Sequence, residues 1–248
     1  MSTQDILRRQ FTRMGARLAV DDQGARLLFG QRVRIDVARD RAGEYFDLSF
    51  QPDFTAEVVD IQPRLRHLVL LVREDREKSK YLLGHDERHW FAAAVPGDSV
   101  RDVRTAIDSL RPSEARCDGV IRQGEWFFVP AREFRDAGHA VLRSEPLSRG
   151  AGSKPHVCEE LIRRGGMAVM VSNRHPTGVS LAEYERMLAA DPSTTRQVWR
   201  RMVRDPEVFA RGKVRHSDHA TIVLDGWHRV YMNRERFALH SSRVAFLD

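Results

Sequence analysis

Between Gly15 and Ile61 the apolar residues come only in short runs, ARLAV, ARLLF, RVRIDVA, EYFDLSF and AEVVDI, parted by turn-forming stretches such as DDQG and RDRAGE. Runs of five to seven residues that mix apolar and polar positions are too short for stable helices and suit half-buried strands, so this region reads as a β-meander. The texture then lengthens without changing its kind. RHLVLLVRE and SKYLLGHDE are joined by the charged tip EDREKS, and HWFAAAV extends the sheet until Pro96-Gly97-Asp98 stops it. Two segments break the pattern. Residues 3–14 place Ile6, Phe11 and Met14 among polar residues behind Ser2 or Thr3 as a cap, with Arg8, Arg9 and Arg13 on the outer face. Residues 99–110 carry Val100, Val103, Ile107 and Leu110 on one face behind Asp98 or Ser99, and Arg111-Pro112 ends them. Both read as short amphipathic helices.

The stretch RPSEARCDG, residues 111–119, separates this complete unit from a new run of strands, which predicts domains over 1–114 and 115–248. The second unit opens with the hairpin VIRQGEWFFVP, loosens at LSRGAGSKP and recovers a strand in MAVMVS. SLAEYERMLAADPSTTRQVWRRMV reads as two helices broken at Asp191-Pro192, and TIVLDGWHRVYM as a closing hairpin that turns at Asp225-Gly226. The expected class is α+β: a strand-rich N-terminal unit closed by one helix, then a β-rich unit with an inserted helix pair.

Cys117 and Cys158 are the only cysteines, which excludes a disulfide framework. The start has charges threaded through its apolar residues, unlike a secretory signal, and no run of about 18 apolar residues occurs, so a cytoplasmic protein without membrane contact is expected. A formal net charge of +6, carried by arginine above all, points to phosphate-bearing partners, RNA or DNA. Residues 193–215 concentrate it. Arg196, Arg200, Arg201, Arg204, Arg211, Lys213 and Arg215 stand there against only Asp205 and Glu207, and Arg149 and Lys154 flank a glycine-rich loop that could cradle a phosphate. On a helix pair these side chains would suit a duplex reader.

His156-x-Cys158 and His216-x-x-His219 are the chemistry-bearing pairs. Residues i and i+2 of a strand share a face, so imidazole and thiolate could bind one ion with the second pair packed opposite. That donor set favours zinc, iron or nickel over magnesium or calcium. Asp218, Glu159 or Glu160 could orient a ligand or act as a base. His85 and His89 lie four apart, but between strand-like flanks, which removes the helical geometry of a zinc-protease motif. The aromatics Trp90, Phe91, Trp126, Phe127 and Phe128 read as core. No Gly-x-Ser-x-Gly elbow occurs, and Cys117 has no histidine partner in the sequence pattern.

Residues 120–236 resemble an uncharacterised bacterial family in which an Arg-Gln-Gly-Asp hairpin, apolar residues and Pro lead to Gly-His-x-His and then to His-x-x-His before a terminal hairpin and an Arg-Glu pair. The matching pieces are RQGEWFFVP, PHVC, HSDH and GWHRVYMNRE. Glu125 replaces the family's Asp, Pro155 its Gly and Cys158 its second His. The resemblance implies positions and no activity. Three readings follow: a nucleic-acid-associated protein with a metal site, working as a metal-dependent phosphodiester hydrolase; a non-enzymatic nucleic-acid-binding protein or accessory subunit of a ribonucleoprotein complex; and a protein-interaction scaffold.

Overall fold

The computed structural model describes residues 2–27, 32–74, 77–96, 99–148 and 154–235. The chain forms two compact units, Met1–Pro112 and Ser113–Met232, and residues 233–235 belong with the first, where the Arg234 N–H donates to the Leu110 carbonyl (2.9 Å). The described residues are strand-rich, with three α-helices, an α+β composition. None of those helices is long and apolar enough to cross a membrane.

In the first unit α1 (Thr3–Met14) starts where Ser2 and Asp5 close a capping box, worth about 1 kcal/mol. Its buried face is Leu7, Phe11 and Met14, whereas Ile6 is 43% exposed. Spacings of four and three make the stripe, and Ile6 falls one residue outside it. β1 (Leu18–Asp21), β2 (Val33–Asp40) and β3 (Gly43–Phe50) form a sheet in the order β1-β3-β2, with β1 parallel to β3. The expected meander is therefore broken at its start. After β1 the Asp21 carboxylate accepts the backbone N–H groups of Gln23 and Arg26, turning the chain away from a hairpin. Residues 25–27 of ARLLF are not strand, and Leu28 and Phe29 lie outside the described residues.

β4 (Phe54–Gln62), β5 (His67–Glu74), β6 (Glu77–His85) and β7 (Trp90–Val95) do form an antiparallel meander. One of its faces packs Leu68, Leu70, Tyr81 and Leu83 on Phe46, Leu48 and α1. The other packs Val69, Leu82 and Ala93 under α2 (Val103–Leu110). Each large apolar side chain so buried contributes about 1.5–3 kcal/mol. The helix starts later than the sequence pattern suggests, because Asp102 supplies its cap (2.7 Å to the Thr105 N–H) and Asp60 accepts the Val103 N–H (2.9 Å). Val100 is still buried, ahead of the helix.

The second unit holds β8 (Ile121–Gln123), β9 (Trp126–Pro130), β10 (Leu142–Leu147), β11 (His156–Arg164), β12 (Met167–Ser172), β13 (His175–Ser180), α3 (Leu181–Ala190), β14 (Arg200–Arg204), β15 (Glu207–Arg215) and β16 (Ile222–Met232). Six strands make an antiparallel sheet in the order β10-β11-β15-β16-β9-β8, and three make a second in the order β13-β12-β14. Two expectations are corrected. The inserted helix pair is one helix: α3 stops at Asp191, which caps a short 3-10 turn over Pro192–Arg196, and the arginine-rich segment beyond it is strand β14, paired with β12 from Met167↔Arg204 to Val171↔Arg200. Proline disfavours helix at the residue before it, and Val198, Trp199 and Val203 suit an extended chain. A helix-turn-helix is thereby ruled out for this segment. TIVLDGWHRVYM is likewise a single strand. Asp225, Gly226 and Trp227 oppose the lone Arg211 as a bulge, so the residues expected to turn the chain only bend it.

The sheet curls strongly. β8 is an edge strand four positions from β11, yet Gln123 Nε2 donates to the Ala220 carbonyl (2.6 Å) beside the β15–β16 turn. Inside the curl lie Trp126, Phe128, Leu147, Cys158, Leu161, Val214 and Leu224. The opposite face of the same strands carries Ile162, Phe209 and Trp227.

Candidate metal centre

His156 opens β11 opposite Leu147, on the inner face and 1% exposed. Its neighbour Val157 pairs with Arg215 at the end of β15, so the chain leaving β15 places His216 beside it. His219 follows in the same turn. The three rings lie nearly parallel, with centroids 4.2 Å (His156–His216), 4.7 Å (His216–His219) and 5.7 Å (His156–His219) apart. One nitrogen from each lies within 4.8 Å of the others, a group that could hold a metal ion. The turn is held by the Asp218 N–H donating to His216 Nδ1 (3.1 Å) and by an ion pair from Lys154 to the Asp218 carboxylate (2.8 Å).

Neither nitrogen of His156 has a hydrogen-bond partner among the described residues, although both are buried. An unsatisfied buried polar group costs about 1–3 kcal/mol, so a ring with two of them is under-served by the protein alone. Burial, and then the positive charge His216 and His219 would carry, hold the His156 pKa down at about 3. At neutral pH the ring is uncharged, the form that binds metal.

The β8–β9 hairpin lies against this group. Gly124 has φ +57°, and a Cβ there would stand 2.9 Å from His219 Nε2 and 3.4 Å from His156 Nε2. Gln123 beside it is 3% exposed, with its amide nitrogen on the Ala220 carbonyl and its Oε1 without a partner among the described residues. Neither residue stood out as part of the site from sequence. Gly124 reads there only as a turn residue.

Cys158 does not join the three imidazoles. It shares their face but sits one step deeper, fully buried among Trp126, Leu147 and Leu161, and desolvation pushes its pKa up to about 12. It is a neutral thiol packed as a small apolar side chain. Of the acids proposed as orienting groups, Glu159 and Glu160 are engaged away from the imidazoles, and Asp218 lies within the histidine turn. Glu159 accepts the Lys213 N–H (2.8 Å), Glu160 binds Arg211 (2.6 Å) and Arg143 (3.2 Å), and Asp218 binds Lys154. In the first unit His89 pairs with Glu44 (2.6 Å) and His85 packs edge-on against Trp90.

The nine basic candidates divide. Arg204 donates to the Gly178 carbonyl (3.2 Å), Arg211 is paired with Glu160, and Lys154 with Asp218. Arg196, Arg200, Arg201, Lys213 and Arg215 are exposed, with no ion pair to a described residue. Arg200 and Arg201 lie on β14, an edge strand, and Lys213 and Arg215 on β15 just before His216. Arg149 lies outside the described residues. No protein-family model, curated protein or solved structure matches the chain.

Proposed function

We propose that the second unit is a three-imidazole transition-metal centre, zinc above others, in a protein that engages RNA or DNA and hydrolyses a phosphodiester. The observation that carries the metal is His156: a buried, neutral imidazole with no partner for either nitrogen, stacked on two further imidazoles within ligand distance of a common ion. Three nitrogens and no thiolate or carboxylate among the described residues match the zinc sites that keep a position open, whereas structural zinc sites are closed by a fourth protein ligand. A metal held there would polarise a phosphoryl oxygen or lower the pKa of a bound water. His216 and His219, both half-buried, leave that side reachable.

The nucleic-acid part rests on the five exposed cations that form no ion pair with a described residue, two of them on the strand that runs into His216. Phosphate contacts of this kind bind the backbone without reading sequence. The test is metal analysis of the purified protein, its 260 nm absorbance, and cleavage of labelled single- and double-stranded RNA and DNA with and without chelator. Stoichiometric zinc, chelator-sensitive cleavage and the loss of both in His156→Ala are expected. Zinc with salt-dependent binding but no cleavage would leave the non-enzymatic binding protein, and no metal at all would sink the centre.

A further inference from the structure

Two of the three imidazoles sit in the β15–β16 turn, and the hydrogen bonds of that turn fix which nitrogen of His216 holds its proton. The Asp218 N–H donates to His216 Nδ1 (3.1 Å), while both oxygens of the Asp218 carboxylate accept from Lys154 Nζ (2.9 and 2.8 Å). A neutral imidazole has one N–H and one lone pair. Because Nδ1 accepts, the proton of neutral His216 stands on Nε2, which then has no lone pair for a metal. Ligation by His216 therefore expels the Asp218 N–H whichever nitrogen is used. Nδ1 is occupied by that hydrogen, and Nε2 is freed only when the ring proton moves to Nδ1, where two N–H groups would oppose each other. The neighbouring rings favour Nε2: those of His156 and His219 both present Nε2 toward Gly124, 3.4 and 2.9 Å from the place of a Cβ there.

A metal-ligating histidine ordinarily donates its other N–H to a carboxylate or carbonyl. The Asp218 carboxylate is joined to the amide already at Nδ1 through Cα and Cβ alone, so rotation about those bonds brings it to the same place. On the footing of the metal centre above, we propose that Asp218 is a metal-operated switch between Lys154 and His216. Without metal its amide serves His216 and its carboxylate neutralises Lys154. With zinc on His216 Nε2 the carboxylate accepts the Nδ1–H, and Lys154 is released to pair with a phosphate of the nucleic acid. One proton leaves Nε2 and one is taken up at Nδ1, so the ring stays neutral. Charge drives the exchange in the same direction. A dication held by His156 and His216 repels the ammonium of Lys154, which precedes His156 by two residues, and strengthens the Nδ1–H as a donor. The Lys154 side chain is 63% exposed and that of Asp218 22%, so the lysine is the partner that water and phosphate reach more readily.

The chain has four lysines and ten histidines, so NMR of the full-length protein reads both partners of the switch. Lysines dimethylated with 13C keep their charge, and Lys154→Arg identifies the signal concerned. 15N-labelled histidine reports which ring nitrogen is protonated, and His216→Gln identifies that ring. Metal-free protein should show His216 protonated on Nε2 and a Lys154 signal that Asp218→Asn shifts. Zinc should move the His216 proton to Nδ1 and bring the Lys154 signal of the wild type to its Asp218→Asn position. Binding of a phosphorothioate DNA strand, which resists hydrolysis, gives the functional readout over a series of salt concentrations. Lys154→Ala should flatten the plot of log affinity against log salt by about 0.7 in zinc-loaded protein and leave it unchanged in metal-free protein. Metal-free Asp218→Asn should already show the steeper, zinc-loaded slope. A protein that binds no zinc loses the metal centre and the switch with it. Stoichiometric zinc with His216 still protonated on Nε2, with Lys154 still on Asp218, or with equal effects of Lys154→Ala in both forms overturns the switch alone.

Discussion

Gly124→Ala separates a positioned metal site from a chance cluster of histidines. Alanine at φ +57° costs about 1–2 kcal/mol of folding stability, since an L side chain there crowds the following carbonyl. The new methyl would also lie 2.9 Å from His219 Nε2, against an ordinary contact of about 3.5–4.0 Å, so the imidazole must move by about 0.5–1 Å. Such a shift is a small disturbance to folding but a large one to a bond of about 2.0–2.1 Å to zinc. The expectation is therefore a split: a modest loss of stability and an affinity for zinc reduced about 10–100-fold, the range seen when ligand-orienting groups are lost. Gly165→Ala is the control, because Gly165 has φ +66° and open space around its would-be Cβ. It pays the backbone cost without touching a histidine. Urea unfolding of metal-free protein and zinc competition against a chromophoric chelator measure the two halves. Equal zinc affinity in Gly124→Ala and wild type, or an equal loss in both variants, would refute the argument.

Metal-free protein should lose stability as pH falls below the unfolded value of 6.5 and keep losing it toward about 3, because the unfolded His156 takes up a proton that the folded one refuses. This amounts to about 1.4 kcal/mol at about pH 5.5, and an unfolding series in which His156→Gln shows the same acid slope as wild type would contradict it. Cys158→Ala should leave zinc stoichiometry intact while costing about 1 kcal/mol of stability from the small core void; loss of metal in that variant would restore the thiol as a ligand. Arg200→Ala with Arg201→Ala should lower affinity for RNA or DNA and flatten the plot of log affinity against log salt by about 2 units. An unchanged slope would remove β14 from the interface.

Elements whose local signals agree with their tertiary packing are legible in the sequence. In the meander of β4 to β7, β4 alternates buried and exposed residues and β5 carries the continuous apolar run of a strand covered on both faces, each of strand length. α1 is stated by Ser2 and the spacing of Leu7, Phe11 and Met14, though assigning Ile6 to the core misplaced the stripe by one residue. The failures have a common physical origin. Arg200–Arg204 carries helix-compatible residues, but pairing with β12 decides its state, and a strand partner thirty residues away is invisible to a local window. Asp225-Gly226 is a strong turn signal, yet here the same freedom serves a bulge. For the metal site, the histidines were legible as chemistry and their convergence was guessed from order. Gln123 and Gly124 were not, because their role depends on curvature.

Curvature also decides between His156 and Cys158. Both point inward from β11, so periodicity treats them alike. The register of β11 against β15 shifts between Cys158 and Glu160, and that of β15 against β16 between Ala210 and Gly212, where Gly212 takes φ +78°. Bulges of this kind increase local twist and bend the strand that carries them. Bent at these points, the sheet brings its β8 edge over the β15–β16 turn, as the Gln123–Ala220 hydrogen bond records. The mouth of that curl receives His156, His216, His219 and Gly124, while its interior is filled by Trp126, Leu147 and Cys158. One step along a strand therefore separates a donor that faces other donors from one sealed in hydrocarbon. A thiol at the mouth would be lowered in pKa by a metal; a thiol in the interior is raised by burial, and only the second describes Cys158.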